Sequence, residues 1–170
     1  MKTLILGGVK SGKSRYAEEV AATISGSVTV IATATAMDEG MAIRIARHQD
    51  ERPASWVTVE EPIHLGQALR SISSADVVVI DCLTLWLTNL LMDPDADKLN
   101  SEIDNFEQAI REFNHPLILV SNETNMGIVP LGDLTRKYCD QVGLLHQRLA
   151  KVCDKVQLIV AGLPLNLKGT

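Results

Sequence analysis

Long hydrophobic runs are absent from the sequence: none approaches the roughly 20 residues that a membrane span needs, so we expect no membrane span. The first apolar run, residues 4–6, is too short for a signal peptide and is followed by glycines and lysines. Cysteine is scarce, and Cys82, Cys139 and Cys153 form neither a metal-ligand spacing nor an even set. We therefore expect reduced thiols and a cytoplasmic protein.

Positive charge is also limited, because 16 Lys and Arg against 21 Asp and Glu give a net charge of −5. This balance disfavours a broad nucleic-acid surface, and we expect no nucleic-acid partner. It does not exclude nucleotides, whose phosphates are bound locally by backbone N–H groups and one or two cations. Since no repeat, low-complexity tract or linker divides the 170 residues, we expect a single domain over residues 1–170.

Short apolar strands alternate with amphipathic helices along the chain. The predicted strands cover residues 3–6, 28–32, 77–80, 117–120 and 156–161, with a further short strand at 56–60, and the predicted helices cover 14–22, 39–49, 62–72, 99–113 and 134–152. This alternation predicts an α/β, three-layer fold with a mainly parallel central sheet. Ligands bind beyond the carboxyl ends of such strands, where Gly7, Ala32, Asp81 and Ser121 lie.

Residues 7–14 fit the phosphate-binding motif G-x-x-x-x-G-K-[ST] in full, and we expect all of them to contact nucleotide: Gly7, Gly8, Val9, Lys10, Ser11, Gly12, Lys13 and Ser14. The glycines let successive N–H groups turn toward a phosphate, and the following helix adds its positive N-terminal end. We expect Lys13 to reach the β- and γ-phosphates and the Ser14 hydroxyl to coordinate Mg²⁺. The motif predicts a RecA-like P-loop NTPase fold with ATP or GTP as substrate.

Asp81 directly follows the apolar strand at residues 77–80. A carboxylate at this position suits the residue that holds Mg²⁺ opposite the P-loop, directly or through water. The alternative is a helix N-cap, a position that Asp favours.

Beyond the P-loop, several stretches resemble one enzyme family. They are IATA at 31–34, RIARH at 44–48 with Arg52 and Pro53, WVTVEEP at 56–62, DCLTLWLTNL at 81–90, and VSNE at 120–123 with MGIVP at 126–130. Together they are similar to the bifunctional adenosylcobinamide kinase / adenosylcobinamide-phosphate guanylyltransferase of cobalamin biosynthesis. The resemblance runs nearly end to end.

The resemblance implies two reactions. A nucleoside triphosphate first phosphorylates the hydroxyl of the aminopropanol arm of adenosylcobinamide; GMP then passes from GTP to that phosphate through a covalent guanylyl–enzyme, with release of pyrophosphate. The family's nucleotide-carrying histidine falls on His48. Further nucleotide contacts are expected at Ala32, Thr33, Ala34, Arg44, Arg47, Arg52, Glu60 and Asp81. The resemblance also implies a homo-oligomer, most simply a homotrimer.

The residue types around His48 agree with this role. A neutral imidazole can attack an α-phosphorus, and the resulting phosphoramidate is labile enough to pass the nucleotide on. Arg44 lies one helical turn earlier, where its charge disfavours protonation of His48 and can steady phosphate oxygens. The alternative is a histidine that merely ends an exposed helix, favoured there by the helix dipole.

Asn122 and Glu123 end a strand beside the site and are candidates for substrate contact, with a helix cap as the alternative. The sequence departs from the family pattern at Gly40, at Thr124-Asn125, and at His146, where an asparagine is usual. We expect His146 to lie at the edge of the core. Four further side chains are expected to serve packing or the surface: Trp56, Trp86, His64 and His115.

Two other functions fit fewer of these features. A single-function small-molecule kinase explains the P-loop and Asp81 but leaves the segment with Arg44 and His48 without a role. A nucleotide-dependent switch predicts slow GTP hydrolysis and no covalent adduct.

Overall fold

A computed structural model of the protein describes residues 1–24, 26–35 and 52–169. The predicted helix at 39–49, with Arg44, Arg47 and His48, lies outside the described residues, and so does Gly40. The strands are β1 (Lys2–Gly7), β2 (Val28–Ala32), β3 (Val57–Glu60), β4 (Val77–Asp81), β5 (Leu117–Asn122), β6 (Lys155–Val160) and β7 (Leu163–Lys168). The helices are α1 (Lys13–Thr23), α2 (Leu65–Ser71), α3 (Leu83–Met92), α4 (Lys98–Glu112) and α5 (Asp133–Val152).

The strands form one seven-stranded sheet in the order β3-β2-β4-β5-β1-β6-β7. Every pairing is parallel except that of β6 with β7. Strand β5 lies between β1, which enters the P-loop, and β4, which ends at Asp81. The carboxyl ends of these three strands therefore share one edge of the sheet.

Both faces of the sheet are covered, as the near-continuous apolar strands require. Alternation of side chains along a strand sends Leu4 and Leu6 to one face, where they pack with α2, α3, α4 and α5. Ile5 points to the other face, where Ala17 and Ala21 of α1 cover it. The predicted three-layer α/β fold with a mainly parallel sheet is confirmed.

Two elements of the structure are missing from the sequence prediction. Helix α3 was overlooked although its buried residues, Leu83, Trp86, Leu87 and Leu90, have helical spacing. Strand β7 alternates leucine at 163, 165 and 167 with Pro164, Asn166 and Lys168, but none of its residues is buried. It is the outermost strand of the sheet and pairs antiparallel with β6. Pro164 is tolerated there because an outermost strand has one side without a partner strand.

The predicted start of the second described helix was wrong. Pro62 does not lie in its first turn, because α2 begins at Leu65. One carboxylate oxygen of Glu61 accepts hydrogen bonds from the N–H groups of Ile63, at 2.9 Å, and His64, at 2.7 Å. These bonds hold residues 61–64 in a turn that precedes the helix. No helix of the described residues is long and apolar enough to cross a membrane.

Candidate active site

The P-loop begins where β1 ends, and its first glycine is sterically required. A Cβ on Gly7 would collide with the Ser11 hydroxyl and come within 2.9 Å of the Ile159 carbonyl. Gly12 has φ +94°, a left-handed conformation that residues with a side chain rarely adopt, and it is the N-cap residue directly before α1. The two glycines therefore fix the turn that aims the loop's N–H groups.

Two backbone hydrogen bonds hold the loop. The N–H of Ser11 donates to the Gly8 carbonyl at 3.2 Å, and the N–H of Gly162 donates to the Ser11 carbonyl at 2.9 Å. The second bond ties the P-loop to the turn between β6 and β7. Lys13 lies over the loop, with its Nζ donating to the Gly8 carbonyl at 3.3 Å.

Lys13 is close enough to Asp81 and Cys82 for electrostatic interaction. Burial lowers the pKa of Lys13, whereas the two acidic groups act in the opposite direction. Burial also raises the pKa of the Cys82 thiol to about 11, so it is neutral near pH 7. Among the described residues, Asp81 is thus the carboxyl group that acts on Lys13.

Thr33 holds the backbone that follows Asp81. Its hydroxyl donates to the Cys82 carbonyl at 2.6 Å and accepts from the Cys82 N–H at 3.0 Å. Its N–H donates to the Asp81 carbonyl at 3.3 Å. Since the Thr33 side chain is 0% exposed, it supports the site from within, and its direct contact with nucleotide stays a prediction.

Asn122 lies opposite Gly7 in the pairing of β5 with β1. Its N–H donates to the Thr84 hydroxyl at 2.8 Å, which joins the end of β5 to the first turn of α3. Its side-chain Oδ1 is buried without a hydrogen-bond partner among the described residues. An unpaired buried polar atom is costly, and a ligand group at this edge is one way to satisfy it.

Glu123 is the first residue beyond β5, and its N–H donates to the Gly7 carbonyl at 3.0 Å. One carboxylate oxygen accepts from the Asn125 N–H at 2.7 Å, and the other lies 3.6 Å from Nδ1 of His146. His146, on α5, is 7% exposed, as expected of a residue at the core edge. The end of β5 thus brings both candidate substrate residues next to the P-loop.

The remaining described candidates lie farther along the same edge. Ala32 ends β2 and pairs with Glu60, which is exposed at the end of β3, while Ala34 is half-buried. The Arg52 side chain, 7% exposed, donates to Glu18 of α1 at 3.3 Å, so its charge is already paired beside the helix that follows the P-loop. Contacts of these residues with nucleotide stay predictions.

Comparison with known proteins assigns the family. The family described as cobinamide kinase / cobinamide phosphate guanyltransferase matches residues 3–167. The chain is 51% identical over 170 residues to the bifunctional adenosylcobalamin biosynthesis protein CobP of Pseudomonas aeruginosa, covering 99% of this chain and 98% of that protein. It is 37% identical over 182 residues to the bifunctional adenosylcobalamin biosynthesis protein CobU of Escherichia coli, covering 99% and 100% of the two chains.

The chain belongs to the cobinamide kinase / cobinamide phosphate guanyltransferase family. Solved structures agree with the RecA-like fold. A KaiC-like protein of Pyrococcus horikoshii superposes with a TM-score of 0.54 at 18% identity, over 92% of this chain and 69% of that one. The RadB recombinase gives 0.52 at 15% identity, over 92% and 73%. At these identities the likeness concerns the fold alone.

Two described side chains carry oxygen ligands of the kind that a magnesium–nucleotide complex uses. The described residues contain no group of three or more His, Cys, Asp and Glu side chains arranged to hold a metal ion. Ser14 and Asp81 instead offer one hydroxyl and one carboxylate, the hard oxygen ligands that Mg²⁺ prefers. Mg²⁺ usually takes its other ligands from phosphate oxygens and water, so this sparse donor set suits the family's nucleotide chemistry.

Several residues that shape the site were not singled out from the sequence. Thr84 and Asn89 lie on the overlooked helix α3; Thr84 accepts from the Asn122 N–H, and Asn89 donates to the carbonyls of Thr33 and Pro62 at 3.0 and 3.1 Å. The apolar residues after Asp81 have helical spacing, and this signal could have placed Thr84 and Asn89 on one helix beside the site. Trp86 is 0% exposed and packs edge-on against Phe106, which confirms its expected packing role.

Proposed function

We propose that this protein phosphorylates adenosylcobinamide with ATP or GTP and then transfers GMP from GTP to adenosylcobinamide phosphate. The observation that carries the proposal is an intact P-loop whose Lys13 interacts with Asp81, in a chain that bifunctional relatives match nearly end to end. The products are adenosylcobinamide-GDP and pyrophosphate. The full chain is covered, so both activities are proposed for this one polypeptide.

In the kinase step, the substrate hydroxyl oxygen attacks the γ-phosphorus and the bond to the β–γ bridging oxygen breaks. The nucleoside diphosphate leaves with that electron pair, and the hydroxyl proton is released to solvent. The N–H groups of the P-loop and the charge of Lys13 stabilise the negative charge on the phosphate oxygens. Asn122 and Glu123 lie on the acceptor side of the loop, where we propose that they contact and orient the substrate.

In the second step, we propose that the neutral imidazole of His48 attacks the α-phosphorus of GTP. Pyrophosphate leaves, and a phosphoramidate between His48 and GMP forms. A phosphate oxygen of adenosylcobinamide phosphate then displaces the histidine nitrogen, which completes the transfer. Arg44 and Arg47, on the same segment of sequence, and Arg52 are the proposed partners of the phosphate oxygens.

Mg²⁺ would neutralise charge on the triphosphate, held by the Ser14 hydroxyl and the Asp81 carboxylate. The location of the enzyme in the cytoplasm and its assembly as a homotrimer, in which a neighbouring subunit completes the site, remain proposals from the family resemblance.

The decisive experiment is a labelling reaction with Mg²⁺ and GTP labelled at the α-phosphate, followed by denaturation. We expect retained label that is lost in acid and stable in base, as a phosphoramidate is. The label should be absent from His48→Ala and present in His115→Ala, a matched control because His115 is exposed beyond the opposite end of β5. No label on protein shown to bind GTP would remove the guanylyltransferase activity and leave a P-loop kinase.

The kinase activity is measured separately, as transfer of the γ-phosphate to adenosylcobinamide. Lys13→Ala should abolish it, whereas His48→Ala should retain it in part. Loss of both activities in His48→Ala would contradict the proposed separate role of the histidine. Slow GTP hydrolysis without any transfer to the corrinoid would instead indicate a nucleotide switch.

A further inference from the structure

His146 connects the buried end of β5 to the carboxylate beside the P-loop. Its Nε2 lies 2.8 Å from the Ser121 hydroxyl, and its Nδ1 lies 3.6 Å from the Glu123 carboxylate. Both Ser121 and His146 are buried, at 0% and 7% exposure. The ring therefore spans the gap between strand and loop, with a polar partner at each nitrogen.

The two partners determine the state of the ring. Burial lowers the pKa of His146, and the nearby Glu123 carboxylate acts in the opposite direction; we take the ring as neutral at pH 7. A carboxylate can only accept, so the single ring proton belongs on Nδ1, which faces Glu123. Nε2 then accepts a hydrogen bond from the Ser121 hydroxyl, whereas Nδ1 lies 3.6 Å from the Glu123 carboxylate, within electrostatic reach but longer than a hydrogen bond.

The segment after β5 is attached to α5 at a second point. Nδ2 of Asn125 donates to the Cys139 carbonyl at 2.8 Å, and the N–H of Asn125 donates to Glu123 at 2.7 Å. Because Gly143 has no Cβ, the Asn125 side chain can approach α5 closely; a Cβ on residue 143 would lie 2.9 Å from its Nδ2. Glu123 is thus held from the P-loop by its N–H, from Asn125 through one oxygen, and toward His146 by the other.

We propose that His146 is a positioning residue for the kinase step: together with Ser121 it holds the Glu123 carboxylate and the segment 123–125 in the place from which they orient the corrinoid substrate. This inference rests on the proposed function. The nucleotide is held from the other side of the site, by the P-loop backbone and Lys13. His146 therefore acts on the acceptor substrate through Glu123 and leaves nucleotide binding unaffected.

The test is steady-state phosphorylation of adenosylcobinamide by the full-length protein, with the acceptor and the nucleotide varied separately. His146→Leu keeps a similar volume but loses both polar contacts, and we expect kcat/KM for the acceptor to fall about 10- to 100-fold, the effect of a misplaced orienting group. KM for the nucleotide should change less than about threefold. His146→Gln, which retains a donor and an acceptor, should recover most of the loss.

Two further variants separate positioning from structure. Glu123→Gln should lose activity to a similar extent, and the double variant of His146→Leu with Glu123→Gln should lose no more than either one, because both changes remove the same contribution. His115→Leu, the same substitution at an exposed position, should leave all constants unchanged. Thermal unfolding of each variant reports separately on stability.

Unchanged acceptor kcat/KM in a folded His146→Leu overturns the inference, as does an equal rise of both KM values. Additive losses in the double variant also overturn it, because His146 then does not act through Glu123. An unmodified protein that phosphorylates no corrinoid contradicts the proposed function instead, so the two failures are distinguishable.

Discussion

Replacing Thr33 with valine tests whether the buried hydroxyl positions the backbone after Asp81. Valine has nearly the same shape, so the 0% exposed site stays filled. The substitution removes the group that donates to the Cys82 carbonyl at 2.6 Å and accepts from the Cys82 N–H at 3.0 Å. The Cys82 N–H then lacks a partner in the folded protein, whereas the Cys82 carbonyl keeps the hydrogen bond that it accepts from the Trp86 N–H at 3.3 Å.

One unsatisfied buried N–H costs about 1–3 kcal/mol, so we expect Thr33→Val to lower the free energy of unfolding by about 2 kcal/mol. For a domain of this size that corresponds to a fall in Tm of about 4–8 °C. The control is Thr33→Ser, which keeps the hydroxyl and loses one methyl, for about 1 kcal/mol. Urea unfolding of the unmodified protein and both variants gives the comparison directly.

The same variant should affect catalysis through Asp81. Because Cys82 directly follows Asp81, loss of its anchor should raise the Mg²⁺ concentration needed for half-maximal kinase activity in Thr33→Val more than in Thr33→Ser. If Thr33→Val proves as stable as Thr33→Ser and needs no more Mg²⁺, the hydroxyl does not position this segment and the reasoning is wrong.

Three other predictions concern the P-loop and two buried titratable groups. Gly7→Ala should lower Tm by several degrees more than Gly8→Ala, measured without nucleotide, because a Cβ on Gly7 meets the Ile159 carbonyl at 2.9 Å whereas one on Gly8 meets nothing within 4 Å. Burial raises the pKa of the Cys153 thiol from 9.0 to about 12. Because the thiol of the unfolded chain ionises first, the free energy of unfolding should fall as pH rises above about 9, and Cys153→Ala should weaken that dependence in urea unfolding. Burial lowers the pKa of His146 below 6.5, so stability should be lost as pH falls below about 6.5, a slope that His146→Gln should reduce.

The fold was largely predictable from the sequence because parallel strands buried on both faces give distinct apolar runs. Strand β2 was predicted with the bounds that the structure has, and β4 and β5 extend the predicted strands by one and two residues. The P-loop was predictable because its chemistry is local to eight consecutive residues. The helical spacing of α3 and the alternating leucines of β7 are local signals as well, so both elements were predictable from the sequence although the prediction lacks them.

The contacts between distant residues could not be predicted in the same way. Nothing local relates Thr33 to Cys82, which are 49 residues apart, or Ser121 to His146, which are 25 apart. Their hydrogen bonds exist because the order of strands brings their elements together. Sequence spacing identified His146 as a core-edge residue but gave no indication of its partners.

The order of strands also explains why the acceptor side of the site should be found after β5. A strand between β1 and β4 places its carboxyl end between the phosphate loop and Asp81, so the residues that follow it are nearest to a group that attacks the γ-phosphate. The P-loop is held by backbone hydrogen bonds and glycine geometry, which few substitutions can preserve. Glu123 is held by side chains from another helix, which can be exchanged singly. Substitutions on α5 should therefore lower the rate with the corrinoid substrate while nucleotide binding is retained. The His146 variants test this directly, because kcat/KM for the acceptor and KM for the nucleotide are measured separately.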